Sequence, residues 1–378
     1  MNIIDVLIPY EESRKRKLPF FKASFFDAIS SRDWYPVIRN RSHFKDYGFE
    51  FRFFTPKNLP DDKNPNCIII DSAIKRGKNM NWDIVKNLIR RFKKEGRTVV
   101  LFDSKDSHNM LMELLPLVDF YMKKQFLKNR MLYNYALEGG RLFTDYYSKE
   151  SKGLEWNPKK NRASVYKDIF KANKDKLRIS WNILMAIDEF RTFRDYIRFF
   201  SSKTGKINYI DPNKRRKIKL NANFSTSYES ELVALQRIHL KKILDKEGFA
   251  SGNSTGIVPK EIYKENLKNS KAVVSPFGWG EVCYRDFESF ISGTALIKPD
   301  MQHIDTWPDL YEPNKTYLQI SWDKNQWGSE IDKLLNDESL LLKVATTGQE
   351  KYRKIWTPSG QKKFCERFSS QLTEFINN

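Results

Sequence analysis

Cysteine is scarce in these 378 residues: Cys67, Cys283 and Cys365 lie far apart and are odd in number. That excludes a disulfide framework or a CxxC metal site and leaves them as core thiols. Histidine is hardly commoner. His43, His108, His239 and His303 show no H-x3-H or HExxH spacing, so a histidine zinc site drops out and no metal is expected. No apolar run approaches the roughly 20 residues needed to cross a bilayer. The opening MNIIDVLIPYEESRKRK lacks the basic, apolar and small-residue order of a signal peptide, which places the chain in the cytoplasm. There is no Walker A lysine loop and no complete G-x-G-x-x-G, which argues against a P-loop kinase and a typical dinucleotide dehydrogenase. Internal repeats and low-complexity tracts are also missing.

What the chain does have is a large apolar fraction, 40%, with 14% aromatics, enough for two domains rather than one. It also carries 67 Lys and Arg against 47 Asp and Glu, a formal charge of +20 that predicts an anionic partner. The charge falls in blocks: Arg14–Lys17, Lys86–Arg97, Lys123–Arg130, Lys159–Lys160 and Lys214–Lys217. Such a face fits the anionic inner leaflet of a membrane, at about 1 kcal/mol per residue. Solvated helix faces explain it equally well, so charge alone does not select a function. A basic nucleic-acid-binding protein is the alternative from another class. Against it, the blocks are scattered among amphipathic helices, with no zinc finger, RNP-like sequence or basic arm, and no nucleic-acid partner is expected.

Residues 1–150 alternate short apolar runs with amphipathic stretches, which predicts a Rossmann-like α/β lobe. IIDVLIP (3–9), EFRFFTP (50–56), CIIID (67–71), TVVLFD (98–103) and VDFYMKKQ (118–125) read as strands. Ile84, Val85, Leu88, Ile89 and Phe92 sit at helical spacing and stop at Gly96. Residues 151–215 read as a connector. A second α/β lobe is predicted over 216–355, from KIKLNANF (217–224) through a helix begun by a Thr226-x-x-Glu229 capping box, a helix with Pro259 in its first turn, and the strands AVVSP (272–276) and ALIKP (295–299). Residues 356–378 form a helical tail able to fold back on either lobe.

The most distinctive stretch is Ser275-Pro-Phe-Gly-Trp-Gly-Glu-Val-Cys-Tyr-Arg-Asp-Phe-Glu288, followed by Gly293 and Lys298-Pro-Asp300. A strand ends in a loop with two glycines and a helix begins. Gly278 and Gly280 let the backbone approach a ligand, and a helix start is a natural seat for a phosphate or diphosphate. Glu288 lies one turn beyond Tyr284 and Arg285, on a face that reaches the sugar hydroxyls of a nucleotide seated there. An ordinary turn and a solvated face of Arg285, Asp286 and Glu288 account for the same residues, since a lone G-x-G is weak.

SPFGWGEVCYRDFESFISGTALIKPDMQHIDTWPDLY resembles the C-terminal signature of bacterial glycosyltransferases with the two-lobed GT-B architecture, of the family-1-like and CgeB-type group. Weaker echoes lie at LFDSKDS (101–107), VDFYMKKQ (118–125) and LRISWN (177–182), about half the chain in all. The resemblance implies two Rossmann-like α/β/α lobes facing a central cleft. It implies transfer of a sugar from a nucleotide-sugar donor, held by the second lobe, to a glycan or lipid-linked glycan acceptor on the first. Such enzymes usually serve cell-surface glycans such as lipopolysaccharide or capsule, and need no bound metal or other cofactor. Glu288 then matches the glutamate that holds the nucleotide ribose. Retaining members often carry two glutamates eight positions apart, whereas Glu281 and Glu288 are seven apart and the first position is Gly280. That leaves inversion or retention open, together with a third reading, a catalytically inactive sugar-nucleotide-binding scaffold.

The donor site expected on this reading comprises Gly278, Trp279, Gly280, Glu281, Tyr284, Arg285, Glu288 and Lys298. Lys219 is a further candidate for neutralising the leaving diphosphate, although any one of these cations also reads as an ordinary surface charge. For the base that takes the acceptor proton, Asp103 and Asp106 follow a strand whose carboxyl end faces the ligand side of an open sheet. Asp71 and His108 are alternatives, and Asp103 equally reads as a helix cap. Glu281 is the candidate beside the donor sugar. Trp181 and Asn182 are expected at the acceptor, an indole against a sugar face and an amide on its hydroxyls, though core packing also explains Trp181. Trp307-Pro308-Asp309 reads as a rigid loop near the cleft.

Overall fold

The computed structural model describes residues 1–9, 32–59, 66–76, 80–160, 163–183, 207–250 and 255–377. The basic block Arg14–Lys17 and the aromatic stretch beyond residue 183 lie outside these.

The five expected strands of the first lobe form at β1 (Asn2–Leu7), β2 (Phe49–Phe54), β3 (Cys67–Asp71), β4 (Thr98–Asp103) and β5 (Phe120–Lys123). After β6 (Gln125–Leu127), β7 (Leu177–Ile179) completes a parallel six-stranded sheet of order β2-β1-β3-β4-β5-β7. The order reverses between β1 and β3. β3 is buried throughout and β4 nearly so, as strands covered on both faces must be. The α-helices among the described residues of this lobe are α1 (Tyr35–Arg39), α2 (Arg41–Asp46), α3 (Trp82–Lys94), α4 (Leu142–Ser151) and α5 (Lys167–Asn173). Asn81 caps α3 by accepting the Ile84 N–H at 2.9 Å, and Val85, Ile89 and Phe92 are its buried side. The chain then leaves through Gly96 at φ +76°, a left-handed turn that glycine adopts without strain.

The second lobe is a parallel sheet of β8 (Ile218–Asn221), β9 (Ser270–Val274), β10 (Ala295–Pro299) and β12 (Leu318–Ile320), in the order β12-β10-β9-β8. Around it lie α6 (Glu231–Lys246), α7 (Lys260–Asn269), α8 (Tyr284–Ser292), α9 (Trp327–Asn336) and α10 (Glu338–Ile355). The molecule therefore has the two Rossmann-like lobes of the GT-B arrangement. Two local expectations change. Helix α6 starts at Glu231 with Ser230 at its N-cap, so Thr226 and Glu229 stay in a loop, and Pro259 is the N-cap of α7 and not its first residue.

The expected boundaries also move. Leu177–Ile179 pairs with Tyr121–Lys123, so the first lobe runs well past residue 150. From the other end of the expected connector, Ile210 N–H already bonds the Ile291 carbonyl of the second lobe at 3.0 Å. Helix α11 (Pro358–Asn377) folds back on the first lobe, where Phe364 and Phe368 meet Phe44 and Trp181, and Phe375 packs on Phe120.

The lobes are tied at several points. β11 (Ile304–Thr306) pairs antiparallel with β6, Ile304 opposite Leu127, which makes a ribbon across the junction. Asn182 N–H donates to the Trp307 carbonyl at 2.6 Å, and the Gln236 amide on α6 reaches the Tyr147 hydroxyl on α4 at 3.3 Å.

Candidate functional site

A cleft of about 580 Å³ opens at the carboxyl ends of both sheets. Its first-lobe wall includes Asp106, Lys124 and Asn182. Its second-lobe wall is built from the loop after β8, the start of α7, the bend Gly278–Cys283 and the first turns of α8. This is where ligands enter open α/β sheets.

The start of α8 is fixed from behind. Asp286, fully buried, accepts the Cys283 N–H at 3.0 Å, the Ser275 hydroxyl at 2.6 Å and the Tyr311 hydroxyl at 2.7 Å, and pairs with buried Lys298 at 3.2 Å. Gly293 ends the helix in the left-handed region. Eight sequence-expected residues line the cleft on this wall or opposite it: Gly278, Trp279, Gly280, Tyr284, Arg285, Glu288, Asp106 and Asn182. Trp279 and Tyr284 are about half exposed at its mouth. Arg285 donates to the Asn223 carbonyl at 2.8 Å; burial would lower its pKa, but Tyr263, Cys283 and Glu288 outweigh it and hold the guanidinium above its ordinary value. The Tyr263 hydroxyl donates to Glu288 at 2.6 Å and fixes one carboxylate oxygen.

Asp106 presents its carboxylate from the first lobe, 55% exposed and 3.3 Å from Lys124 Nζ. Burial works to depress the Lys124 pKa, yet Asp33 and Asp106 raise it overall, so its ammonium stays charged at the cleft wall. Asn182, the expected acceptor amide, also lines the cleft.

Four expected residues do not line it. Asp103 is fully buried beneath it, accepting from the Tyr121 hydroxyl at 2.6 Å and Lys123 Nζ at 2.8 Å; against burial, Lys123 and Tyr121 hold its carboxyl below the usual range. Lys298 is spent on Asp286. Trp181 donates its indole N–H to the Asp33 carbonyl at 2.6 Å inside an aromatic cluster with Trp34, Phe102 and Phe368. Glu281 is buried at the lobe junction, accepting from Gln125 Nε2 at 2.7 Å, and burial pushes its carboxyl up to about 7. Asp71 and His108, the alternative bases, are buried as well. Lys219 reaches Asn336 at 2.9 Å, and Cys283 sits at the cleft and not in the core.

Sequence reasoning passed over Arg237, Lys124, Tyr228 and Tyr263, which all line the cleft. Arg237 had a readable signal. It shares the buried side of α6 with Val233, Gln236 and Leu240, where a charged residue needs a reason. Its guanidinium donates to the carbonyls of Phe277 at 2.6 Å, Ser225 at 3.0 Å and Pro276 at 3.3 Å, over the Tyr228 ring. Those carbonyls leave its positive charge uncancelled beside the bend.

No protein-family model and no curated protein matches the chain. Among solved structures it is similar to TarM at 11% identity and TM-score 0.45, over 85% of this chain and 57% of that one. It is similar to sucrose-phosphate synthase from Thermosynechococcus elongatus at 12% and 0.44, over 99% and 100%. A glycosyltransferase from Rickettsia africae ESF-5 gives 9% and 0.46, over 100% and 99%. The chain thus spans a little over half of TarM. Likenesses this distant concern overall shape, and the functional reading rests on the cleft itself.

Proposed function

We propose that the protein is a glycosyltransferase that binds a nucleotide-activated sugar in the cleft and passes the sugar to a hydroxyl of a glycan acceptor. The observation that carries this reading is the Gly278–Cys283 bend with the first turn of α8, open to a cleft whose opposite wall brings an exposed carboxylate, Asp106. The helix start carries partial positive charge. Arg285, Arg237 and Lys124 add full charges around it, which suits a leaving diphosphate. Glu288, one oxygen already held by Tyr263, turns its remaining acceptor capacity to the ribose. Among described residues no group of His, Cys, Asp and Glu is placed to hold a metal ion.

In the transfer, the acceptor oxygen attacks the anomeric carbon, the bond to the diphosphate oxygen breaks with its electron pair, and the hydroxyl proton passes to Asp106. The acceptor as a growing cell-surface glycan is part of the same proposal and follows the sequence resemblance. No described helix is long and apolar enough to cross a membrane.

A thermal-shift series with UDP, GDP, CMP and dTDP tests the binding half. A nucleotide at a hundred times its Kd is expected to stabilise the fold by about 2.7 kcal/mol. Arg285→Ala should weaken that nucleotide roughly 10- to 100-fold, the value of a charge-assisted hydrogen bond or two. Asp106→Asn should leave nucleotide affinity within about twofold while turnover falls roughly 100-fold or more. If no nucleotide shifts the melt and the protein instead binds RNA or DNA with a steep salt dependence, the basic nucleic-acid-binding reading replaces this one.

A further inference from the structure

Behind the bend, four polar side chains meet where the lobes touch, and each keeps a buried polar atom with no partner among the described residues: Glu281 Oε1, His108 Nδ1, Gln125 Oε1 and both ring nitrogens of His303. Gln125 Nε2 bridges the Asp106 carbonyl at 2.6 Å and Glu281 Oε2 at 2.7 Å, joining the first-lobe loop to the second-lobe bend. His108 Nε2 accepts the Leu142 N–H at 3.1 Å, so that nitrogen carries no proton. Glu281 Oε1 faces the same nitrogen at 3.6 Å. The Nε2 lone pair is spent on Leu142, so Glu281 Oε1 stays without a side-chain donor in a junction that excludes solvent, a position far costlier for an ionised carboxylate than for a neutral acid.

We propose that Glu281 is a positioning residue that holds the glycine bend against the first lobe in its neutral, protonated form, and that its ionisation loosens this junction. The neutral acid keeps the Gln125 hydrogen bond and brings no charge into the junction. Once ionised, the carboxylate is a buried charge whose one side-chain hydrogen bond comes from Gln125. Opposing the loss of solvent, which dominates, are the backbone N–H groups of Glu281 and His108 and the charges of Arg141 and Lys123. Lys123 is already paired with Asp103, and Arg141 donates to the carbonyls of Trp279 and Gly139. Asp106 and Lys124 lie on the cleft side of the same loops, with the Tyr133 phenol behind His108. Burial keeps His108 and His303 below their ordinary pKa, so neither supplies a cation.

The sign follows from the two states. With the junction open, Glu281 titrates near the ordinary 4.5, and with it closed near 7, so the closed state binds the extra proton between those values. Closure is strongest below about pH 4.5, weakens as pH rises to about 7, and changes no further above that.

The test is amide hydrogen exchange of segments 104–109 and 278–283 in the full chain without ligand, from pH 5 to 8 and divided by the intrinsic exchange rate. Protection is expected to fall by up to about tenfold per pH unit between pH 5 and 7, then level off. Glu281→Gln, which is neutral at every pH and keeps an oxygen to accept from Gln125, should stay protected across the range. Wild-type protection that is flat in this window overturns the proposal, whatever the variant does. So does a Glu281→Gln slope equal to wild type. The readout needs no nucleotide, so it stands or fails separately from the transferase reading.

Discussion

Gly280→Ala is expected to destabilise the protein by about 3 kcal/mol or more and to abolish nucleotide binding, because the added carbon has nowhere to go. Built on the glycine backbone, it falls 1.7 Å from the Asp106 carbonyl oxygen, 2.2 Å from the carbonyl carbon and 2.9 Å from the Ser107 nitrogen. All three are main-chain atoms of the opposite lobe. They do not yield locally, since Gln125 holds the Asp106 carbonyl, Tyr133 donates to the His108 carbonyl at 2.9 Å, and His108 is fixed on Leu142. The bend and the loop must part, and the cleft with them. Gly278→Ala is the control two residues away. Its new carbon meets the ends of Arg237 and Tyr228 at 3.2 Å, side chains that move by tenths of an ångström. Melts of both variants should show Gly278→Ala within a degree or two of wild type and Gly280→Ala lower by roughly 5 °C or more. A Gly280→Ala melt equal to wild type would mean that the lobes do not touch there.

Asp286→Ala is expected to cost about 3–5 kcal/mol, measured as a lowered denaturant midpoint. The substitution leaves the Lys298 ammonium fully buried with the Ser275 carbonyl at 3.3 Å and the Phe277 ring as its remaining company. It also removes the acceptor for the Cys283 N–H, and loss of such a cap adds about 1 kcal/mol. Much of the loss is the unpaired lysine and not the pair itself, so adding Lys298→Met should recover a large part of it. The double variant separates the two contributions, because the residues touch and their effects will not add. Nucleotide affinity should not recover with stability, since the start of α8 still lacks its anchor.

The elements were readable in the sequence because each obeys a local rule. CIIID and TVVLFD are apolar runs of strand length, and Asn81 and Gly96 bound an amphipathic helix, with no distant partner needed to say so. The glycine bend before α8 was legible for the same reason, and with it Arg285 and Glu288. What failed was the division between cleft and core. Asp103, Trp181, Glu281 and Lys298 all carry chemistry suited to a site, and all are consumed by partners that no local pattern announces: Trp181 by a helix that begins at residue 358, Glu281 by Gln125. β7 and β11, three residues each, are too short for any periodicity, so the boundary at residue 150 and the cross-lobe ribbon were invisible. Arg237 was the reverse case, a charge on an apolar helix side whose purpose appears only when Phe277 comes to meet it.

The return of α11 to the first lobe has a consequence for synthesis. Phe44, Phe120 and Trp181 are all on the nascent chain well before Phe364, Phe368 and Phe375, so a ribosome that has finished the first sheet has made a lobe whose apolar side is still bare. That side stays sticky until some two hundred further residues have emerged. Slowing translation between residues 183 and 358 should therefore raise the demand for chaperones, whereas for a protein whose halves mature one after the other it would lower it.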